Sequence, residues 1–444
     1  MSLFTVIVAV FIVGYLCIAI ENVTKINKAA IALLMFVICW TVMMFNPAEF
    51  FTSGNAVDAV NAAINHHLGE ASTTLFFLMG AMTIVELVDQ CGGFNFVRNM
   101  LSTKSKKGLM WKMAFMTFFL SAILDNLTTS IVMIMLLRKL VDDPKDRMIY
   151  ASLVIISANS GGAFSPIGDV TTIMIWNKGY ITASQVILEL FIPSLVSMIV
   201  PAFLLSFMLK GNLPEVKECV NTAEGVSELT KVQRQIVFCL GVGGLIFVPI
   251  FKSITHLPPF VGILLVLGLL WTATEVFYRH LPEHNDVNGT QKRITNILTR
   301  IDMGTILFFL GILMAVGALQ EIGALTLMGE TLNETFSGNN YVITGLIGVL
   351  SSIVDNVPLV AGCLGMYDPS WGAAFECDGL FWQLLAYCAG VGGSMLIIGS
   401  AAGVIVMGLE RISFGWYMKH ISWVVAVGYF AGILVYYVER LLFF

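Results

Sequence analysis

The chain has 444 residues, of which 57% are apolar and 12% charged, with a net charge of −5. An ordinary soluble domain carries about a quarter charged residues, so a water-facing surface cannot be built from this composition. It excludes a soluble enzyme, a secreted disulfide scaffold and, with no basic stripe, a nucleic-acid binder, and it indicates a polytopic α-helical membrane protein.

A transmembrane helix needs about 20 mostly apolar residues to cross about 30 Å of hydrocarbon. Ten runs qualify, at 3–20, 27–45, 71–89, 148–176, 186–209, 235–251, 259–278, 302–320, 381–409 and 418–438. The first has no basic residue before it and no small-residue cleavage site, so it reads as a retained helix rather than a signal peptide. Two more apolar stretches, 111–140 and 341–366, are too long for one span and too short for two with a turn. Each predicts a helical hairpin that enters and leaves the bilayer by the same side.

Lysine and arginine should gather in cytoplasmic loops. Placing the amino terminus outside puts 21 of the 24 on the inner side, among them Lys25, Lys28, Arg98, Lys104, Arg138, Arg147, Lys210, Lys217, Lys292, Arg293 and Arg411. Only Lys178, Lys252 and Arg440 fall outside.

The two halves resemble each other at an offset near 231. Leu75 to Gly80 answers to Leu307 to Gly311, Ser121-x-Ile123-x-Asp125-Asn126 to Ser351-x-Ile353-x-Asp355-Asn356, and Gly161-Gly162-x5-Gly168 to Gly392-Gly393-x5-Gly399. Each half holds five spans and a hairpin, residues 1–210 and 235–444, joined by a hydrophilic cytoplasmic linker at 211–234. An odd number of spans reverses the second half, which predicts an inverted repeat. In secondary transporters of that design, ion and substrate sites lie near the midplane on discontinuous helices.

Asp125 and Asn126 interrupt the apolar run of the first hairpin at its centre. An aspartate at membrane depth costs about 2.5 to 3.5 kcal/mol on insertion scales, so it needs a compensating role. The plain alternative is that Asp125 only caps the second leg, with Thr128 and Thr129 in its first turn, but a serine would cap without bringing a charge. Asp355 and Asn356 repeat the arrangement, followed by Pro358, which suits a helix first turn. The second element runs from Ser157 through Asn159, Gly161, Gly162 and Pro166 to Asp169. Glycine pairs and proline free backbone carbonyls, which are tolerated at depth only where they face protein or a water-filled cavity. Asp169 follows that break, where a half-helix amino terminus favours an ionised carboxylate. The counterpart, Gly392 to Ser400 with Ser394, has neither proline nor acid, and close packing through small residues is an open alternative there.

Carboxylate, carbonyl, hydroxyl and amide oxygens suit a hard monovalent cation. The tips carry acid and no lysine or arginine, so they repel an anion unless a cation intervenes. A buried carboxylate that takes either a cation or a proton gives obligatory exchange, and Asp125, Asp169 and Asp355 are expected to include that group. Rival readings are a sodium-coupled symporter of a small carboxylate or oxyanion, and a passive channel. No P-loop, metal cluster or nucleophile constellation points to an enzyme or a cofactor.

These motifs resemble the ion transporter superfamily and, within it, the NhaD-type sodium/proton antiporters, over most of the chain. The resemblance implies exchange of sodium or lithium for protons, a bacterial inner membrane location and a homodimer. It maps the ion ligands onto Asp125, Asn126, Thr128, Asn159, Asp169, Asp355, Asn356, Ser394 and Ser400. Relatives that carry dicarboxylates place Ser-Asn-Thr at both tips, and aspartate before Asn126 and Asn356 speaks for a cation instead.

Weaker signals remain. His66 and His67, expected in the outer loop before the third span, could sense pH. Glu86 could belong to a proton path. Asp89, Glu189, Glu275, Asp302 and Glu410 read as boundary residues at span ends. The eight cysteines read as small core residues, with Cys363 and Cys377 able to pair on the outer face.

Overall fold

The computed structural model describes residues 2–19, 26–51, 55–92, 101, 103, 105–209, 211, 229–279, 297–353 and 355–443. Lys25, Arg98, Lys104, Lys210, Lys217, Lys292, Arg293, Cys219 and most of the expected linker lie outside the described residues. Among the described residues there are 18 α-helices and no strand, and eight helices are long and apolar enough to cross a membrane.

In the first half these are α1 (Leu3–Ala19), α2 (Lys28–Phe45), α3 (Ala56–Gln90), α4 (Lys106–Leu124), α5 (Asn126–Leu140), α6 (Pro144–Ala163), α7 (Val170–Asn177) and α8 (Ala183–Ser206). The second half has α9 (Lys231–Thr255), α10 (Pro259–Arg279), α11 (Met303–Glu321), α12 (Ala324–Thr335), α13 (Asn340–Ser351), α14 (Asn356–Met366), α15 (Leu380–Gly392), α16 (Ala401–Glu410), α17 (Phe414–His420) and α18 (Ser422–Phe443). Polar side chains start most of them by accepting a first-turn amide: Asn55 for α3, Ser105 for α4, Thr182 for α8 and Asp302 for α11. Thr230 and Gln233 form a capping box at the start of α9.

Both long apolar stretches fold as helix, break, helix, with Asp125 and Asp355 in the breaks. Both glycine-rich crossings are interrupted as well, between α6 and α7 and between α15 and α16. The second interrupts without a proline, and the expected close packing through small residues is present beside the break. A Cβ on Gly392 would sit 2.1 Å from the Gly348 carbonyl oxygen, and one on Gly161 would meet the Phe118 carbonyl oxygen at the same distance. Only glycine allows the crossing chains to approach so closely. Ser121 donates to the Ala158 carbonyl at 2.6 Å and Ser351 to the Ala389 carbonyl at 2.8 Å. The same contacts thus recur about 230 residues apart. The halves also interlock: α5 packs on α16, α14 on α7, α3 on α10, α11 on α2, and α8 on α18.

Several expectations need correction. The helix expected at 71–89 starts at Ala56, so His66 and His67 lie within α3 and not in a loop. Asn55 caps it, and Val60, Ala63 and His67 repeat at helical spacing on a buried face. The first hairpin begins at Lys106, five residues before its apolar run, and the last span is Ser422–Phe443. Glu189, near the start of α8, is not a free boundary carboxylate: it is 2% exposed and pairs with Arg440 at 2.5 Å and Tyr436 at 3.0 Å. Glu410 is likewise no simple boundary residue, because its carboxylate is held by Arg138 at 2.7 Å and Arg147 at 2.6 Å. Cys363 is buried, Cys377 is exposed, and both are free thiols.

Candidate functional site

Four helix starts meet inside the protein. Asp125 begins α5 from a left-handed backbone (φ 78°), accepting the Thr128 amide at 2.7 Å and its hydroxyl at 3.0 Å. Asp355 begins α14 by accepting the Val357 amide at 3.3 Å. Asp169 begins α7, accepting the Thr171 amide at 3.5 Å. Ser400 begins α16 by accepting the Gly403 amide at 3.1 Å. The three aspartates therefore do cap helices, as the plain alternative required. They also share one cavity of about 50 Å³, together with Asn126 and Asn356.

Amide and hydroxyl groups join the two halves. Asn159, fully buried in α6, accepts from the Asn126 Nδ2 at 3.0 Å. Its own Nδ2 donates to Ser394 Oγ at 2.8 Å and Ser400 Oγ at 2.9 Å. Asn356 Nδ2 donates to Asp169 Oδ2 at 3.2 Å. Both tip asparagines thus donate through nitrogen and keep Oδ1 as an acceptor. All nine residues expected at the site are brought together. Among the described residues no group of three or more His, Cys, Asp or Glu side chains is disposed to hold a metal, so a cation would draw on mixed carboxylate, amide and hydroxyl oxygen. The helix amino termini add favourable dipoles to the three carboxylates.

One functional residue was missed. Lys28, the first residue of α2, donates from Nζ to Asp355 Oδ2 at 2.8 Å and lines the cavity, so the second tip does meet a lysine. The only hint in the sequence is a lysine at the edge of an apolar run, where a long side chain can reach inward.

The remaining candidates lie elsewhere. His67 is 6% exposed, and its Nε2 is 2.9 Å from Glu321. It lines a second cavity of about 200 Å³ with Glu70, Thr74, Asn177 and Lys178. Lys178 is ion-paired to Glu70, and His66 lies 3.5 Å from the same carboxylate. One helical turn separates the two cavities on four helices: Thr74 and Leu78, Leu313 and Phe309, Met174 and Val170, and Ala361 and Val357 line them respectively. Glu86 accepts from Gln90 at 2.9 Å, one turn along α3 from Met82 of the central cavity.

The sequence model of the family described as citrate transporter matches residues 15–383. Sodium/proton antiporter 1 of Arabidopsis thaliana is 43% identical over 96% of this chain and 71% of its own length. Sodium/proton antiporter 2 of the same plant is 41% identical over 96% of this chain and 97% of its own. The Na+/H+ antiporter NhaD of Vibrio parahaemolyticus is 33% identical over 85% of this chain and 93% of its own. Among solved structures, the YdaH transporter of Alcanivorax borkumensis aligns with a TM-score of 0.62 at 11% identity, covering 92% of this chain and 98% of that one, a likeness of fold. With the acidic tips and glycine-broken crossings already placed, the chain belongs to the citrate transporter family and, within it, to the NhaD-type sodium/proton antiporters.

Proposed function

We propose that this protein exchanges sodium or lithium for protons across a bacterial inner membrane by alternating access, with the cation and the proton taking turns at Asp125, Asp169 and Asp355. The observation that carries the site is the convergence of three aspartate-capped helix starts and the Asn126–Asn159–Ser394/Ser400 hydrogen bonds around one cavity. The cavity sets three carboxylates against one lysine, a lining that favours a cation over a tricarboxylate. The symporter reading has no comparable support.

The architecture fits two inverted repeats, 1–210 and 235–444, joined by the linker 211–234. Each holds five spans, a re-entrant hairpin (111–140, 341–366) and a broken crossing (148–176, 381–409). With the amino terminus outside, the ion pairs Lys106–Asp146, Arg138–Glu410 and Arg147–Glu410 join residues of the inner face. Arg440–Glu189, Lys178–Glu70 and His67–Glu321 join residues of the outer face. The larger cavity then opens outward one turn from the site, which supports a role for His66 and His67 in sensing external pH. Glu86, on the inner side of Met82, fits a proton path to the cytoplasm. The working unit is a homodimer.

Everted vesicles carrying a pH-sensitive dye test the reading. Sodium or lithium, without organic solute, should dissipate an imposed proton gradient, and Asp125→Asn or Asp355→Asn should abolish the response at normal protein abundance. Silence of the wild type at every pH from about 7 to 9.5 would remove the exchange activity. Full activity in both variants would remove the site.

A further inference from the structure

Lys28 stands apart from the other cations of its expected face. Its Nζ lies 2.8 Å from Asp355 Oδ2, with side-chain exposures of 25% and 16%, and 4.2 Å from the centroid of the Phe308 ring. Lys28 starts α2, which packs on α1 and α11, and Asp355 lies in the break between α13, which packs on α15, and α14, which packs on α11, α12 and α7. The ammonium also faces the cavity that holds Asp125 and Asp169. Thr305 lines the same cavity and donates to Asp302 at 2.6 Å, and Tyr15 of α1 is within electrostatic reach of Asp355.

We propose that the Lys28 ammonium is a tethered competitor of the transported cation at Asp355. The inference rests on placing the ion at the tip carboxylates, as argued above. A carboxylate oxygen engaged by an ammonium at hydrogen-bond distance cannot coordinate sodium with the same lone pairs. An incoming cation therefore displaces Lys28, and departure of the cation lets it return. No proton leaves the ammonium in either step. One cation replaces another, and the Phe308 ring, already 4.2 Å from the ammonium, remains as a favourable contact once Asp355 is given up. Because the pair ties the start of α2 to the α13–α14 tip, displacement also removes one attachment of the tip to the α2–α11 pair. Cargo binding and freedom of the tip to move become one event.

Dye-coupled exchange in Lys28→Gln vesicles tests this, with Lys28→Arg and Asp355→Asn alongside. Losing the competitor should lower the half-maximal sodium concentration about tenfold, equivalent to about 1.4 kcal/mol. Lys28→Arg should keep the wild-type value or raise it. A second measurement needs no variant. In purified wild-type protein, sodium in place of choline should increase modification of Lys28 by an amine-selective reagent, read by mass spectrometry against Lys178 and Lys252 as internal controls. An unchanged half-maximal sodium concentration in well-expressed Lys28→Gln, or modification of Lys28 indifferent to sodium, overturns the role of Lys28. Exchange that survives Asp355→Asn overturns instead the site on which that role rests.

Discussion

Replacing Asn159 by alanine would remove three hydrogen bonds at once from a fully buried position, those to Asn126, Ser394 and Ser400 at 3.0, 2.8 and 2.9 Å. Each bond is worth about 1 kcal/mol net, and a buried donor left without a partner costs about 1 to 3 kcal/mol. The Asn126 amide is such a donor, while the two serine oxygens lose only an incoming donor, and Ser400 keeps the Gly403 amide. The loss is therefore on the order of 2 to 4 kcal/mol in holding the first tip against the second broken crossing. If about 2 kcal/mol of it falls on the transport cycle, exchange slows about thirtyfold. Ser394→Ala leaves the Asn159 Nδ2 the Ser400 acceptor and should cost about 1 kcal/mol, or about fivefold. The assay is the initial rate of sodium-driven dye recovery in proteoliposomes, normalised to reconstituted protein, with thermal unfolding of the same samples as control. Asn159→Ala within about threefold of wild type would refute the reasoning, since three buried bonds cannot vanish without a larger effect. So would a Ser394→Ala variant as severe as Asn159→Ala with unchanged unfolding temperature.

Two other predictions concern packing and orientation. Gly161→Ala and Gly392→Ala each drive a Cβ to 2.1 Å from a backbone carbonyl oxygen, whereas Gly243 has nothing within 4 Å. The first two should destabilise the purified protein by about 1 to 3 kcal/mol or more, and Gly243→Ala should leave its unfolding temperature unchanged; equal behaviour of all three would contradict the crossing geometry. Cys377 is exposed in the loop between α14 and α15. Its thiol sits above the ordinary range through desolvation, reinforced by the adjacent Asp378 carboxylate. Less thiolate is then present at neutral pH, so labelling by an impermeant maleimide from outside intact cells should quicken as pH rises. Labelling only after membrane disruption would reverse the orientation.

Local signals made the tips and the first broken crossing legible. An Asp-Asn pair inside an apolar run, or Gly-Gly followed by proline, disturbs the helix at the residue where it stands. The second break was harder because Gly392 and Gly393 act through the Gly348 and Gly399 carbonyls, contacts that no local pattern encodes. The start of α3 was missed for a different reason. Its first turns carry Asp58, His66, His67 and Glu70, which lower the hydropathy while the helical spacing of Val60, Ala63 and His67 persists. Lys28 was placed on a face by counting charge, and charge counting says nothing about how far a four-carbon stem reaches. The site's cross-links, such as Asn159 to Ser400, span more than 200 residues and exist only once the halves interlock.

The four helix starts follow one plan with one exception. Asp125 and Asp355 occupy matching positions, but Asp169 is matched by Ser400. Each helix amino terminus is equivalent to about half a positive charge, so four supply about two, and Lys28 adds another. Three ionised carboxylates are then close to balance before any cargo arrives. At the proposed site a cation or proton would be held by the local arrangement of oxygens and not by a large excess of negative charge, which would allow it to leave. Ser400→Asp tests this argument, because aspartate caps a helix as well as serine does and the fold should survive. The fourth carboxylate would face the Asn159 amide and tip the site toward negative. Cargo should then bind more tightly and leave more slowly, seen as a lower half-maximal sodium concentration together with a lower maximal exchange rate. A variant with raised half-maximal sodium and undiminished maximal rate would show that charge balance does not govern release.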